Sequence, residues 1–207
     1  MIAIIDYGVG NLFSLQSSLK YIGQEVEITS DPETIEAADR IILPGVGAFE
    51  DAARKLRESG MADLVMEQAK AGKPLMGICL GMQLLFEKSF EYGEHEGLGL
   101  IKGSVVPIRD VVSEEYKIPH IGWNALRFKG RAAEGQEPLF KYTKEGDHVY
   151  FVHSFYATDC ADSTIASTEY GAELTAAVAD GKIYGCQFHP EKSGKVGLNI
   201  LRAFCEL

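Results

Sequence analysis

The sequence predicts an α/β fold, with an open, mostly parallel, twisted sheet, helices on both of its faces, and an antiparallel β addition. Short apolar runs alternate with amphipathic helical stripes through the first half of the chain, whereas β-branched and aromatic runs prevail from about Gly97 onward. No repeat or shift in composition divides the 207 residues, and a content of 46% hydrophobic residues suffices for one buried core. We therefore expect a single domain over residues 1–207.

The first half of the chain reads as strand, helix, strand, repeated. Apolar or β-branched runs predict strands at 1–5, 26–29, 40–43 and 74–78. Helical stripes predict helices near 12–22, 49–56, 61–71 and 82–88, with Asn11 as the N-cap of the first and Gly72 ending the third. Asp31-Pro32-Glu33 predicts the start of a further helix, with proline in its first turn. Strands that are joined through helices run parallel, and such a sheet is covered on both faces.

The second half is dominated by strand patterns. The predicted strands are 100–108, 121–128, 149–157, 165–170, 176–179 and 182–188, and Asp180-Gly181 marks a hairpin between the last two. The charged, glycine-containing segments 110–117 and 129–148 are expected to be surface loops. A final amphipathic helix carries Val196, Ile200, Leu201, Phe204 and Leu207 on one face.

Charge and composition exclude several classes of function. The chain has 20 Lys+Arg against 30 Asp+Glu, a net charge of -10, which is the wrong sign for a nucleic-acid binder. No run reaches the ~18 apolar residues of a membrane span, and the N-terminus lacks the pattern of a secretory signal, so we expect a cytoplasmic protein that binds no membrane. The four cysteines form no C-x-x-C pair and no His or carboxylate cluster has metal spacing, so we expect neither metal nor organic cofactor.

Cys79 is the strongest candidate for a reactive residue. It lies in Gly77-Ile78-Cys79-Leu80-Gly81, where an apolar strand runs into a tight turn and then a predicted helix. This is the arrangement of a nucleophile elbow with cysteine in place of serine, and the flanking glycines suit so sharp a turn. A helix N-terminus beside the sulfur favours the thiolate. By contrast, Cys186 and Cys205 lie in apolar patterns typical of packing, and the sequence assigns no role to Cys160.

His189 is the best of the five histidines as the partner base, because it follows a predicted strand. Pro190 biases His189 toward extended geometry, and residues two apart in an extended segment share a side. Glu191 is therefore expected to orient one imidazole nitrogen while the other faces Cys79.

A third segment, Pro44 to Ala48, also leaves the carboxyl end of a predicted strand, where open α/β sheets place their ligand crevices. Its glycines allow the backbone N-H groups of Val46 and Gly47 to face an oxyanion, with the N-H of Leu80 as a further donor. Together the three segments describe an acyl-transfer site.

Three motifs resemble those of the class I, triad-type glutamine amidotransferases, and they occur in the family's order. They are PGVG at 44–47, GICLGMQ at 77–83 and QFHPEKS at 187–193. The resemblance covers essentially the whole chain. It implies a flavodoxin-like sheet, hydrolysis of L-glutamine without a cofactor, and transfer of the ammonia to a (β/α)8-barrel synthase subunit in a heterodimer.

The resemblance also assigns roles to individual residues. It implies that Cys79 is the nucleophile, His189 the base and acid, and Glu191 the orienting residue. The amino-acid end of the substrate would be held by Gly47, Gln83, Ser154 and Phe155, and the partner would be contacted by Asn11, Trp123, Asn124 and Lys192.

Three other interpretations remain open at this stage. The family that the chain resembles also includes the glutaminase subunits for anthranilate and for pyridoxal phosphate synthesis. The same elbow serves stand-alone cysteine hydrolases, which need no synthase partner. A pseudo-glutaminase acting as a scaffold is the non-enzymatic alternative, and it is disfavoured because Cys79, His189 and Glu191 are all present.

Overall fold

Fourteen strands and seven helices follow one another along residues 1–207 in a computed structural model of the chain. The strands are β1 (Ile2–Ile5), β2 (Val26–Thr29), β3 (Arg40–Gly45), β4 (Leu75–Cys79), β5 (Phe86–Ser89), β6 (His95–Glu96), β7 (Ile101–Pro107), β8 (His120–Ala125), β9 (Arg127–Phe128), β10 (His148–His153), β11 (Phe155–Thr158), β12 (Thr164–Glu169), β13 (Glu173–Asp180) and β14 (Ile183–Cys186). The helices are α1 (Leu12–Tyr21), α2 (Pro32–Ala37), α3 (Phe49–Glu58), α4 (Met61–Lys70), α5 (Leu80–Leu84), α6 (Gly130–Ala133) and α7 (Gly194–Cys205).

The main sheet has eight strands in the order β2-β1-β3-β4-β14-β13-β12-β9. The first five of these run parallel to one another, and β13, β12 and β9 extend the same sheet in antiparallel pairing. This confirms the predicted fold class. Because β3, β4 and β14 are adjacent and parallel, the segments that follow them emerge at one edge of the sheet.

Alternate residues of the parallel strands feed two separate cores, one on each face of the sheet. Ile2 and Ile4 of β1 pack with α1 and α7, whereas Ala3 and Ile5 pack with α2, α3 and α4. Both cores consist of fully or nearly fully buried side chains. The sheet between them is therefore a rigid platform for the loops at its carboxyl edge.

Two smaller sheets lie beside the main one. β10 and β8 form an antiparallel ribbon in which His153 pairs with His120, and β11, β7, β5 and β6 form a four-stranded sheet. The chain crosses from the ribbon to the four-stranded sheet at Ser154, between β10 and β11. The predicted strand 149–157 is thus two strands in two sheets.

The predicted helix 82–88 is wrong beyond Leu84. The backbone carbonyls of Leu84 and Leu85 accept hydrogen bonds from Leu98, Leu100 and Ile101, so they are unavailable to continue α5. Residues 86–89 instead form β5, which pairs with β6 and β7.

The segment 129–148 is not simply a surface loop. It contains α6 and a short 3-10 turn at Pro138–Phe140. Ala132, Leu139 and Phe140 join the core beneath β12 and α7. The predicted N-cap Asn11 occupies that position of α1, but its side chain makes no capping hydrogen bond. No helix in the structure is long and apolar enough to span a membrane.

Candidate active site

Cys79 occupies a strained turn between β4 and α5. Its φ of 54° and ψ of -114° lie in a region that residues with a side chain rarely adopt. The turn is that tight because α5 passes directly over β3: a Cβ at Gly81 would collide with the carbonyl oxygen of Leu43, and one at Gly77 would lie 2.6 Å from the carbonyl oxygen of Gly81. The elbow predicted from the sequence is therefore present, although the helix behind it has only five residues.

His189 and Glu191 come together beyond the end of β14, next to β4. The Nδ1 atom of His189 lies 2.8 Å from Oε1 of Glu191, and both side chains are almost fully buried, with exposed fractions of 4% and 3%. Glu191 reaches the imidazole from a 3-10 turn at Pro190–Lys192 and not from the extended segment that the sequence suggested. Pro190, which starts this turn, brings the carboxylate back toward the ring.

The surroundings of His189 favour its charged form. Burial by itself lowers the pKa of the imidazole, but hydrogen bonds to Cys79 and Glu191 and their negative charges outweigh it and raise the pKa to about 9. His189 thus interacts with the thiol on one side and the carboxylate on the other. This is the arrangement of a cysteine nucleophile with an imidazole base and an orienting carboxylate.

Two glutamine side chains connect the nucleophile to the far wall of the site. Nε2 of Gln83 donates to the carbonyl oxygen of Phe155 at 3.1 Å and to Oε1 of Gln187 at 2.9 Å. Gln187 in turn points its Nε2 at Sγ of Cys79, at 3.9 Å. Sequence reasoning missed Gln187, although it stands two residues before His189 within the motif QFHPEKS.

A cavity of about 420 Å³ opens above Cys79. It is lined by nine of the residues singled out in the sequence, namely Val46, Gly47, Cys79, Leu80, Gln83, Ser154, Phe155, His189 and Lys192. Glu191 lies behind His189. The cavity is large enough for an amino-acid substrate, and the structure thus brings the three predicted segments to one site.

Glu91 and Tyr92 also line the cavity, and no pattern in the sequence indicated either residue. One oxygen of the Glu91 carboxylate accepts the backbone N-H of Phe49, at the start of α3, at 2.6 Å. Burial raises the pKa of Glu91, although the bond from Phe49 acts in the opposite direction. Tyr92 is 90% exposed and packs edge-on against Phe155.

The loop predicted to stabilise an oxyanion follows β3 directly, and β3 itself extends to Gly45. Gly45 pairs with Cys79 across the sheet, so the loop starts next to the nucleophile. Gly47 has a φ of 97°, and a Cβ there would meet no atom within 4 Å. The backbone angle, and not lack of space, is the reason for glycine at this position.

Among the residues assigned to a partner surface, Lys192 lines the cavity and Trp123 pairs with Tyr150, whose carbonyl accepts the N-H of His189. Trp123 is 52% exposed on β8, Asn124 follows it, and Lys192 is exposed at the mouth of the cavity. Asn11 belongs to a turn that packs against the oxyanion loop, since a Cβ at Gly10 would lie 3.1 Å from Cβ of Pro44. An exposed tryptophan in a strand indicates an interface.

None of the other three cysteines lines the cavity. Cys186 is fully buried and Cys205 and Cys160 nearly so. Burial raises the pKa of all three thiols, that of Cys205 to about 11, which keeps them protonated and unreactive at neutral pH. No group of three or more His, Cys, Asp and Glu side chains is arranged to hold a metal ion.

The comparison with known proteins identifies the family. Residues 3–206 match the model of the family described as glutamine amidotransferase class-I. The chain belongs to the class-I glutamine amidotransferases. Membership of this family makes it an enzyme that acts on glutamine.

Two relatives align with this amidotransferase over almost their full length and over its full length. The chain is 50% identical over 208 residues to the imidazole glycerol phosphate synthase subunit HisH of Caldanaerobacter subterraneus subsp. tengcongensis, covering 100% of this chain and 98% of that protein. It is 49% identical to the subunit of the same name from a Geobacillus species, covering 100% and 97%.

Solved structures support the fold at lower identity. A crystal structure of a glutamine amidotransferase superposes with a TM-score of 0.75 at 20% identity, covering 100% of this chain and 98% of that one. The structure of PurLQS from Thermotoga maritima superposes with a TM-score of 0.73 at 21% identity, covering 99% and 97%.

Proposed function

We propose that this amidotransferase is the glutaminase subunit of an imidazole glycerol phosphate synthase, acting in the cytoplasm as a single domain over residues 1–207. The observation that carries the proposal is Cys79, held in a strained turn in the same cavity as His189, whose other side is bonded to Glu191. Relatives that are 45–50% identical over almost the whole chain, all named as HisH subunits, support this synthase over other amidotransferases.

The first half of the proposed reaction forms a thioester. The thiolate of Cys79 attacks the side-chain carbonyl carbon of L-glutamine, and the resulting oxyanion is stabilised by backbone N-H groups of Val46 or Gly47 and of Leu80. Protonated His189 then donates its proton to the departing nitrogen. The C-N bond breaks, ammonia leaves, and a γ-glutamyl thioester remains on Cys79.

The second half regenerates the enzyme. His189, now neutral, removes a proton from water, which attacks the thioester carbonyl. Collapse of this second tetrahedral intermediate releases glutamate and returns the thiolate. Glu191 keeps the imidazole in one orientation through both halves, because Nδ1 stays bonded to the carboxylate.

Substrate selection is proposed to depend on the wall of the cavity opposite Cys79. Glutamine carries an α-ammonium group, and Glu91 is the carboxylate that the cavity offers to it. Gly47, Gln83, Ser154 and Phe155 are proposed to hold the rest of the amino-acid end. The neighbouring Tyr92, which is exposed and stacked edge-on against Phe155, closes the cavity on that side.

The ammonia is proposed to pass to a (β/α)8-barrel synthase subunit in a heterodimer. That subunit would use it to convert a phosphoribulosyl aminoimidazole carboxamide nucleotide into imidazole glycerol phosphate and an aminoimidazole carboxamide ribonucleotide, in histidine biosynthesis. Trp123 and Lys192, which are exposed, together with Asn11 and Asn124, are proposed to meet the barrel. An exposed tryptophan also favours the subunit over a stand-alone hydrolase, because a protein that acts alone has no need of a large aromatic side chain on its surface.

Co-purification with a candidate barrel synthase tests the proposal. We expect a 1:1 complex, and we expect glutamate release from L-glutamine to rise when the synthase and its nucleotide ligand are added. Absence of a complex, with glutamine hydrolysis unaffected by the synthase, would support the stand-alone hydrolase instead. Absence of glutamine hydrolysis under all conditions would contradict the glutaminase itself.

A further inference from the structure

Two buried histidines beside the active site have no part in the reaction described above. His153 ends β10 and His120 begins β8, and the two residues are direct partners in the antiparallel ribbon. Their exposed fractions are 5% and 0%. Nδ1 of His120 lies 2.9 Å from Nε2 of His153, and the ring of His120 is stacked between those of Phe151 and Tyr170. Such enclosed imidazoles must satisfy all of their hydrogen bonds within the protein.

Each end of the histidine pair meets an oxygen acceptor. Nδ1 of His153 lies 2.8 Å from the carbonyl oxygen of Phe155, and Nε2 of His120 lies 3.0 Å from Oδ1 of Asn124. In this orientation of the Asn124 amide, Nδ2 donates to the carbonyl oxygen of Glu169 at 2.8 Å, at the protein surface. Neither acceptor can supply a proton in this arrangement.

A count of protons decides the tautomer of His153. Three hydrogen bonds would need three protons: one on Nδ1 of His153, one on Nε2 of His120 and one shared between the two rings. Two neutral imidazoles carry only two protons. Burial lowers the pKa of both rings, that of His153 to about 3, so the pair is neutral and one contact lacks its proton. The side-chain amide of Asn124 can turn, because the bond to the carbonyl of Glu169 that it would give up lies at the surface, where water can replace it, whereas the part-buried backbone carbonyl of Phe155 cannot turn. The tautomer of lowest free energy therefore has no proton on Nε2 of His120 and has a proton on Nδ1 of His153.

The carbonyl oxygen that is bonded to His153 also positions the side chains of Gln83 and Gln187. The oxygen of Phe155 accepts both Nδ1-H of His153 and Nε2-H of Gln83. Gln83 then bonds to Gln187, whose amide faces Cys79. An unbroken chain of polar contacts thus runs from His120 through His153, Phe155 and the glutamines to the nucleophile. Phe155 and Gln83 both line the cavity.

We propose that His153 is a positioning residue for substrate binding: as the Nδ1-H tautomer, selected by His120, it fixes the carbonyl of Phe155 and through it the side chain of Gln83. The proposal rests on the glutaminase function and adds a residue to it. Because Gln83 and Phe155 are assigned to the amino-acid end of glutamine, an error in their placement weakens binding in the ground state and the transition state alike. Such a loss raises KM and leaves kcat nearly unchanged.

Two substitutions at one position separate positioning from mere packing. In His153→Asn the side-chain Nδ2 can stand where Nδ1 stood and still donate to Phe155, whereas His153→Leu fills the space without a donor. With glutamine hydrolysis measured on the full-length protein, we expect His153→Leu to raise KM by roughly 3- to 10-fold, the effect of one hydrogen bond, with kcat nearly as in the wild type. His153→Asn should restore KM to within about 2-fold of the wild-type value.

Other outcomes would overturn the proposal in identifiable ways. A purely structural role lowers the amount of folded enzyme, so kcat per mole falls with an unchanged KM, and Asn fails to rescue. Wild-type protein without glutamine hydrolysis would refute the proposed function, whereas active wild-type protein with an unaltered KM in His153→Leu would refute only the positioning role.

The tautomer itself is measurable without any variant. In ¹⁵N spectra of the wild-type protein labelled at histidine, we expect Nδ1 of His153 to have the chemical shift of a protonated nitrogen and Nε2 that of a bare one. His120→Asn, whose Nδ2 can still donate to His153, should preserve this pattern. Observation of the Nε2-H tautomer at His153 would overturn the proposal whatever the kinetics show.

Discussion

His189 is buried between Cys79 and Glu191, which favour its protonated form, and its ionisation limits the pH range in which the reaction can proceed. Burial lowers its pKa, but Cys79 and Glu191 raise it to about 9 in the folded protein, against about 6.5 for a free imidazole. Because the pKa of His189 is higher in the folded than in the unfolded protein, protonation of this imidazole stabilises the fold. This stabilisation is fully present below about pH 6.5 and is lost as the pH rises through about 9. The proton that ammonia needs on leaving is lost over the same range.

Glu191→Gln is therefore expected to change the pH dependence of catalysis. Loss of the carboxylate removes one of the two interactions that raise the pKa of His189, so the alkaline limb of kcat against pH should move from about 9 to lower values. The fall in kcat should be roughly 10²-fold, the lower end of what a positioned acid contributes. Glu94→Gln, in an exposed pair with Lys88, is the matched control. An alkaline limb that stays in place would show that Glu191 does not act on His189.

Glu91→Gln tests recognition of the substrate's ammonium group. In this variant the side-chain amide oxygen at position 91 can still accept the N-H of Phe49, so α3 should start as before. The negative charge that faces the cavity is lost. We expect KM for L-glutamine to rise roughly 10- to 100-fold, the effect of one charge-assisted hydrogen bond, with little change in kcat.

The same variant has a second readout in substrate choice. Wild-type enzyme should strongly prefer L-glutamine to an analogue that lacks the α-amino group, and Glu91→Gln should lose most of this preference. A preference that survives the substitution would place the ammonium site elsewhere.

The residues that sequence could and could not predict differ in a physical way. Cys79, His189 and Glu191 stand in short local patterns that dictate a turn or a strand end, so they are visible in the chain itself. Glu91 reaches the cavity only because β5 and β6 fold back over α3, and Gln187 is recognisable only once β14 lies beside β4. Such long-range pairings leave no local pattern to detect.

Among the elements, the contact between α5 and β3 is what fixes the elbow. Gly81 sits against the backbone of Leu43, and there is no flexible side chain that could move aside. We expect Gly81→Ala to lower the free energy of unfolding by roughly 1–3 kcal/mol, equivalent to about 2–12 °C in melting temperature, and to abolish most glutamine hydrolysis.

Gly47→Ala is the informative comparison. Its Cβ would meet no neighbour, but a φ of 97° is unfavourable for alanine, so the change acts on the backbone of the oxyanion loop alone. Hydrolysis should fall while the melting temperature changes less than in Gly81→Ala. Equal losses of stability in the two variants would contradict the claim that Gly81 is required by the close approach of α5 to β3.

The prediction of a helix over 82–88 is wrong in this same region, after α5. Its composition favours a helix, but the carbonyls of Leu84 and Leu85 bind the returning segment 98–101 and so terminate α5 after five residues. Tertiary hydrogen bonds here override local propensity. The parallel core strands, by contrast, were predicted closely, because runs of buried residues on both faces leave a strong pattern in the chain.

At the scale of the whole molecule, we propose that the face carrying Trp123 and Lys192 meets the synthase subunit. Trp123 is the exposed aromatic on this face, with its ring edge-on to Tyr150. We expect Trp123→Ala to raise the Kd for the barrel synthase by roughly 30-fold or more, which is typical of a tryptophan at an interface, while glutamine hydrolysis by the isolated chain stays at its wild-type level.

Tyr142→Ala provides the control at the opposite edge of the sheet. Tyr142 is also partly exposed, but its hydroxyl binds Glu206 after the end of α7, far along the helix from Glu191. Calorimetric titration of both variants with the synthase should show weakening only for Trp123→Ala. Equal affinities for the two variants would mean that the partner binds elsewhere.

If Cys79 releases the ammonia that a synthase partner uses, Cys79→Ala in the assembled complex must uncouple the two activities. Synthase product would be measured with either L-glutamine or an ammonium salt as the nitrogen source. We expect the variant to make no product from glutamine and to make product from ammonium as fast as the wild-type complex. Product formed from glutamine by Cys79→Ala would contradict this expectation, and so would loss of the ammonium-dependent reaction.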